Sequence, residues 1–371
     1  MNSPKRFLEL DLLRAAMMLL GVIYHAVELV YASGNHLSHN IFVDAFLWTA
    51  HSFRMPVFFL VSGFLAASVL AQKGKDFFLA NRIQRILLPL LLSLPLLLPL
   101  QMLMEYHEKQ FFLQDPSLAG FLGTWKTALN FLYWRPKLHH LWFLSYLFLA
   151  SLLLIFLRRY IRASYLSARG WLFFTCCMLF FSMSLMKTPG IVNSPTALLP
   201  NLPVFLYYFS YFFFGWIWRE RDIEKSGLFI WLWFPISCVF LSTLSLPSSI
   251  SMLLYPCFAL SLTLYLFEKA QGIKIKPGLR HLISYGVDSA YWVFLAHFFI
   301  LYPGDLLLMK LQISHFARLL LLLGFTYTLC FASYHFWVRY SWIGQILNGK
   351  RQKKAQKEIA FVLPEAALTQ K

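Results

Sequence analysis

The chain has 371 residues, 59% of them hydrophobic, 18% aromatic and only 13% charged, with a formal net charge of +17. A mean hydropathy of +0.60 excludes a soluble globular enzyme of this length, which needs far more polar surface, and apolar runs recurring from end to end specify an all-α, polytopic membrane bundle. The basic residues sit in short loops between these runs rather than in one patch, which excludes nucleic acid as a partner and marks topology signals and contacts with anionic membrane lipids.

In chain order the apolar runs predict ten spans, near 10–32, 50–72, 83–104, 140–157, 170–187, 202–219, 228–246, 250–268, 284–303 and 314–338. The first is a retained helix rather than a signal peptide, because its apolar run is long and holds both Arg14 and His25. Residues 41–49 extend the second span outward. Pro89, Pro95 and Pro99 predict kinks in the third, with neighbouring helices satisfying the freed carbonyls. The outer loop 105–139 carries Trp125, Tyr133 and Trp134, aromatics that can stack on sugar rings or anchor at the membrane interface. All five cysteines fall within apolar segments, their number is odd and none has metal-ligand spacing, so they read as core packing and no metal site is assigned. Residues 1–340 read as one integral domain, and 341–371 as a basic, partly disordered cytoplasmic tail able to meet lipid headgroups. Lys and Arg alternate between loops so that both termini fall in the cytoplasm, which an even number of spans requires.

Ionisable residues inside apolar helices are costly and therefore functional candidates. Arg14 and His25 lie eleven positions apart in the first span, about three turns plus 20°, so both share one helix face about 16 Å apart. With depth counted at about 1.5 Å per residue, four helices deliver His25, Arg54, His140 and His297 to one level near the outer face. Glu28 follows His25 by one turn and can orient its imidazole. His51, His139 and His140 also admit a plain interfacial reading, and Arg54 can snorkel to the headgroups. Zinc is set aside because no two histidines stand at i, i+4 on one helix beside an acidic ligand. At the opposite face Arg82 and Arg85, in NRIQRILLP, stand one turn apart. They serve either as positive-inside anchors or as a phosphate clamp.

These residues resemble the motifs of the membrane acyltransferase 3 family, and within it those of a glucan-succinylating branch. Arg14 and His25 match its Arg-x10-His pair, preceded by Leu10-Asp11-Leu12-Leu13; HSFRMPVFFLVSGFLAA (His51 to Ala67) resembles its second-helix block. NRIQRILLP, HLWFL (His140 to Leu144) and DSAYWVFLAHFFILYP resemble further blocks, except that His297-Phe298 stands where the family often has a His-His pair. The resemblance implies an O-acyltransferase of a bacterial inner membrane that holds no permanent cofactor. It would take acetyl-CoA or succinyl-CoA from the cytoplasm, and a glycan hydroxyl, such as that of a periplasmic glucan, at the outer face. Glucan-synthesis proteins are implied partners. On this reading Arg82 and Arg85 hold the CoA phosphates and Arg14 lines the path of the arm. His25 is the general base, or is itself transiently acylated; Arg54, with His140, stabilises the oxyanion or holds a succinyl carboxylate; Glu28 and His297 complete the site. The competing class is a transporter or flippase using the same His and Arg cluster, against which no inverted repeat is visible.

Overall fold

A computed structural model describes residues 7–32, 41–96, 99, 100, 104, 138–186, 192, 195, 197, 199–223 and 248–348. The predicted span at 228–246, most of the outer loop 105–139 and the tail from 349 lie outside the described residues. Every regular element among the described residues is helical. Helix α1 (Leu8–Val27) runs into a π-turn, Glu28–Ala32. Helix α2 (Ile41–Arg82) leads through a second π-turn, Ile83–Leu87, into α3 (88–96). A 3-10 turn, His139–Leu141, opens α4 (Trp142–Leu157), and α5 (Ala168–Ser184), α6 (Leu202–Glu220) and α7 (Ser248–Gln271) follow. Next come α8 (Arg280–Ala296), α9 (Phe298–Met309) and α10 (His315–Ser333), which ends in a π-turn, Tyr334–Val338. A short α11 (Trp342–Asn348) closes the described chain.

Among the described residues, four stretches can cross a membrane by length and composition: Leu8–Tyr31, Phe42–Leu96, His139–Leu157 and His315–Val338. The spans expected near 50–72 and 83–104 lie on two helices that meet across a kink at Gly74, whose φ of 77° is in the left-handed region that glycine adopts freely. The span near 284–303 is bent by 63° between α8 and α9. Pro303 lacks the amide hydrogen that would bond the Phe299 carbonyl, which weakens the turn following the break. The bent pair counts as a fifth candidate span.

The surface is apolar where a soluble protein would be polar. Phe173, Leu320, Leu321, Phe325 and Trp337 are exposed, and only 22% of the most apolar window of α10 is buried, against 83% for α2. Helix α2 is therefore the centre of the bundle and α10 is a lipid-facing wall. Two glycines set how closely α2 meets α6: a Cβ on Gly63 would overlap the Phe212 carbonyl, and one on Gly215 the Leu60 carbonyl. The two backbones touch at a reciprocal small-residue crossing, the usual device for close packing where both partner and solvent are apolar.

Helix ends and helix breaks find polar partners. The N-termini of α5, α6 and α10 are capped by Ser167, Asn201 and Ser314, whose side chains accept from Gly170, Val204 and Ala317 amides. Pro89 cannot bond the Arg85 carbonyl, and the Tyr291 hydroxyl of α8 donates to that oxygen instead at 3.0 Å. Asp305 of α9 and Arg318 of α10, both buried, form a two-pronged ion pair that draws the bent α9 against α10.

Candidate active site

The site is organised along one face of α1. Arg14, Met18, Gly21 and His25 follow one another at helical spacing. They meet, in that order, a cavity, its inner end, the Arg54 guanidinium, and a cluster of histidines.

The cavity encloses about 630 Å³ between α1, α2, α4, α8 and the π-turn after α2. Three guanidinium groups, those of Arg14, Arg82 and Arg85, line it, together with Asp11, Asp288, Ser62 and the amides of Gln72, Asn81 and Asn348. Arg14 lies 3.8 Å from Asp11 and 5.3 Å from the Phe58 ring centroid; Arg82 lies over Phe78 at 4.6 Å. The Nε atoms of Arg14 and Arg82 and the buried Ser62 hydroxyl have no hydrogen-bond partner among the described residues. A cavity with cationic groups, amides and an apolar lining suits an anionic, amide-bearing, partly apolar ligand.

Its inner end is aromatic. Phe58 and Phe143 line it and meet edge to face at 5.4 Å. Phe143 meets Phe294 at 4.9 Å, and Phe294 in turn meets His140 at 5.5 Å and His297 at 5.4 Å. One layer of phenyl rings thus separates the cavity from the histidines.

Beyond that layer His25, His140 and His297 come together from α1, the start of α4 and the α8–α9 break. His25 stacks on His297 at 5.6 Å, and His140 meets His297 edge to face at 5.1 Å. The Phe298 ring sits among all three, 4.7, 4.4 and 4.6 Å from His25, His140 and His297. Hydrogen bonds fix the tautomers, since a carbonyl or carboxylate oxygen only accepts. His297 donates from Nδ1 to the Phe294 carbonyl at 2.6 Å, and His140 from Nε2 to the Leu295 carbonyl at 3.3 Å. That leaves His297 Nε2 and His140 Nδ1 as acceptors, neither with a partner among the described residues. The Nδ1 of His25 faces Glu28 Oε2 at 3.1 Å, which directs its proton to the carboxylate and leaves Nε2 as the basic atom. Glu28 follows His25 by three residues with helical dihedrals, φ −56° and ψ −47°, and this i,i+3 spacing brings its carboxylate over His25. Exposure separates the three: His297 is 0% and His140 5% exposed, whereas the His25 and Glu28 side chains are 16% and 49% exposed. Only His25 is both inside the cluster and within reach from outside it.

Arg54 lies below this group. It is 5% exposed, stands over the Tyr24 ring at 4.8 Å, and keeps Nε and Nη1 without hydrogen-bond partners among the described residues. Gly21 makes room for it: a Cβ there would stand 2.5 Å from Arg54 Nη1.

The structure therefore divides the residues expected from sequence into two groups. His25, Glu28, Arg54, His140 and His297 form one cluster. Arg82 and Arg85 face the cavity with Arg14, which points at Phe58 rather than at His25. His51 is set to one side, donating from Nε2 to the Val192 carbonyl at 2.5 Å and packing on Tyr24. His139 occupies the left-handed backbone region, φ 44°, in the turn that delivers His140. Residues that sequence reasoning did not single out are Tyr24, Gln72, Asn81, Asp288 and Asn348. Only Asp288, an acid in an apolar run, carried a signal that could have found it.

Residues 7–335 match the family model described as an acyltransferase domain (Acyl_transf_3). Over 159 residues the chain is 31% identical to Glucans biosynthesis protein C of Escherichia coli (strain K12) and to that of Shigella dysenteriae serotype 1 (strain Sd197). Each match covers 41% of this chain and 39% of the relative's length. No solved structure matches the chain.

Proposed function

The chain belongs to the acyltransferase-domain family and is an acyltransferase; on that premise we propose that it carries an acyl group across a bacterial inner membrane, from a cytoplasmic acyl-CoA to a hydroxyl of an envelope glycan. The donor is succinyl-CoA or acetyl-CoA, and the acceptor is a periplasmic glucan; the relatives' name, Glucans biosynthesis protein C, supports a glucan as the acceptor class. Ten spans with both termini in the cytoplasm complete the topology. The observation that carries this reading is the cavity lined by Arg14, Arg82 and Arg85, whose aromatic inner end is one ring layer from the half-open His25.

CoA phosphates dock on Arg82 and Arg85, where planar guanidinium groups suit phosphate oxygens. The arm lies along the Arg14 face, and the thioester passes the Phe58, Phe143 and Phe294 layer. The distance to be covered is the rise from Arg14 to His25, about 16 Å. Nε2 of His25 takes the proton of the acceptor hydroxyl as its oxygen attacks the thioester carbonyl. The resulting oxyanion is held by Arg54, whose guanidinium is already desolvated and aimed by Tyr24. The intermediate collapses with cleavage of the C–S bond, and the departing thiolate recovers the proton from His25. Glu28 keeps the imidazole in the required tautomer throughout.

The test is free-thiol release from succinyl-CoA and acetyl-CoA by the protein in nanodiscs, with and without glucan. Glucan-stimulated release from one donor is expected, lowered by about 10²–10⁴ in His25→Ala. Substantial glucan-dependent release by a well-folded His25→Ala protein refutes the role given to His25.

A further inference from the structure

The acyltransferase-domain match ends at residue 335, yet the cavity has a wall built from residues beyond it. Helix α11, Trp342–Asn348, folds back against the bundle and contributes Leu347 and Asn348 to the lining. Three features hold it there. Gly344 is pressed on the Val338 carbonyl so closely that any Cβ would overlap it, which lets the chain reverse directly after the π-turn. Leu347 is buried with Tyr334 and Val338. The Asn348 side-chain amide donates to the Asp288 carbonyl at 2.8 Å and lies 3.5 Å from the Tyr334 hydroxyl. Helix α11 also touches the π-turn that carries Arg85. A seven-residue helix has too few internal bonds to persist alone, so its position is set by this docking.

We propose that α11 is a donor-binding element of this chain, with Leu347 and Asn348 forming the wall against which the amide-bearing arm of an acyl-CoA lies. The inference rests on the reading of the cavity as the donor site. The chemistry fits: Asn348 commits its NH2 to the protein, so its carbonyl oxygen remains an acceptor for an arm amide, and Leu347 offers apolar surface beside it. Docking on Asp288 and on the Arg85 turn couples the placement of this wall to the phosphate-facing end of the cavity.

The experiment measures binding of free CoA, and the donor KM against kcat, in full-length protein in nanodiscs. The variants are Asn348→Ala, Leu347→Trp and, on the exposed face of the same helix, Gln345→Ala. Arg82→Ala with Arg85→Ala reports separately on the donor site. Loss of one hydrogen bond or filling of the wall is expected to weaken CoA binding about tenfold. The donor KM rises in parallel while kcat and the acceptor KM hold, and Gln345→Ala behaves as wild type. A variant that merely misfolds lowers the active fraction, hence apparent kcat, without raising the donor KM. CoA binding that falls in the double arginine variant but stays within about twofold of wild type in both α11 variants overturns this inference and leaves the donor site standing. Absence of CoA binding by the wild-type protein overturns the donor site and, with it, the role of α11.

Discussion

Glu28 offers the sharpest test of how the site works, because its contribution is orientation and its size can be worked from the structure. Its carboxylate accepts from His25 Nδ1 at 3.1 Å and so fixes which nitrogen of that imidazole carries the proton. A hydrogen bond to an ionised partner contributes about 1.5–3 kcal/mol, against about 0.5–1.5 for a neutral one. The Glu28 side chain is 49% exposed, so solvent screening places the difference at the low end, about 1 kcal/mol. Glu28→Gln keeps an acceptor oxygen at the same place and is expected to lower kcat about fivefold. Glu28→Ala frees the ring to rotate and change tautomer, losing about 2 kcal/mol, or about 30-fold. The donor KM is expected to hold in both variants, since Glu28 is not among the residues lining the cavity. The assay is steady-state, glucan-dependent thiol release in nanodiscs, with titrated donor. Equal losses of more than about 100-fold in both variants would mean that the carboxylate itself reacts. An unchanged kcat in Glu28→Ala would mean that it does not orient His25.

Three further outcomes follow from neighbouring geometry. Arg54→Ala is expected to lower kcat about 10²–10³ with either donor, as removal of an oxyanion partner does; a loss confined to succinyl-CoA in parallel kinetics would instead assign the guanidinium to the donor's free carboxylate. Phe298→Ala vacates the space among three imidazoles, where the unpartnered His140 Nδ1 and His297 Nε2 can hold a water. The ratio of glucan-independent to glucan-dependent CoA release is expected to rise, and an unchanged ratio contradicts the assignment of Phe298 as a water-excluding group. Asp305→Ala strands the buried Arg318 and is expected to cost about 3–5 kcal/mol, read as a lowered thermal midpoint. Adding Arg318→Met should recover most of it, and an unshifted midpoint in the single variant argues against the pair.

The legible parts of the site were those where ionisable chemistry interrupts an apolar run. Arg14 and His25 stand out because a membrane helix excludes such side chains, and their spacing places them on one face, as the structure shows. Counting depth along each helix was enough to bring Arg54, His140 and His297 to the level of His25. What sequence periodicity could not carry was direction. The 63° bend that turns His297 into the cluster falls six residues before Pro303, at a point where no proline or glycine stands, so the sequence did not announce it. Gln72, Asn81 and Asn348 were invisible because a polar residue near a span end looks the same whether it meets water or lines a cavity. Residues 342–348 adjoin a run of lysines and arginines and read as tail; their helix is specified by Gly344 and Leu347 docking on the bundle, a tertiary cause.

The two levels of the site are joined by covalent geometry as well as by packing. Arg14 and His25 belong to one uninterrupted helix, so their separation is fixed at about 1.5 Å per residue and survives movement of neighbouring helices. Glu28 shares this tie, one turn beyond His25, whereas His297 sits at a helix break and His140 in a 3-10 turn of other helices. The ring layer of Phe58, Phe143 and Phe294 joins three separate helices by edge-to-face contacts, each contributing only about 0.5–1.5 kcal/mol beyond burial. On the proposed reading, passage of a thioester from cavity to base therefore calls for rearrangement of that layer rather than of α1. On the same reading a tethered donor needs a fixed distance between the cavity and the reacting end. Placing Arg14, which lines the cavity, and His25 on one straight helix supplies that distance, whatever the aromatic layer does between them.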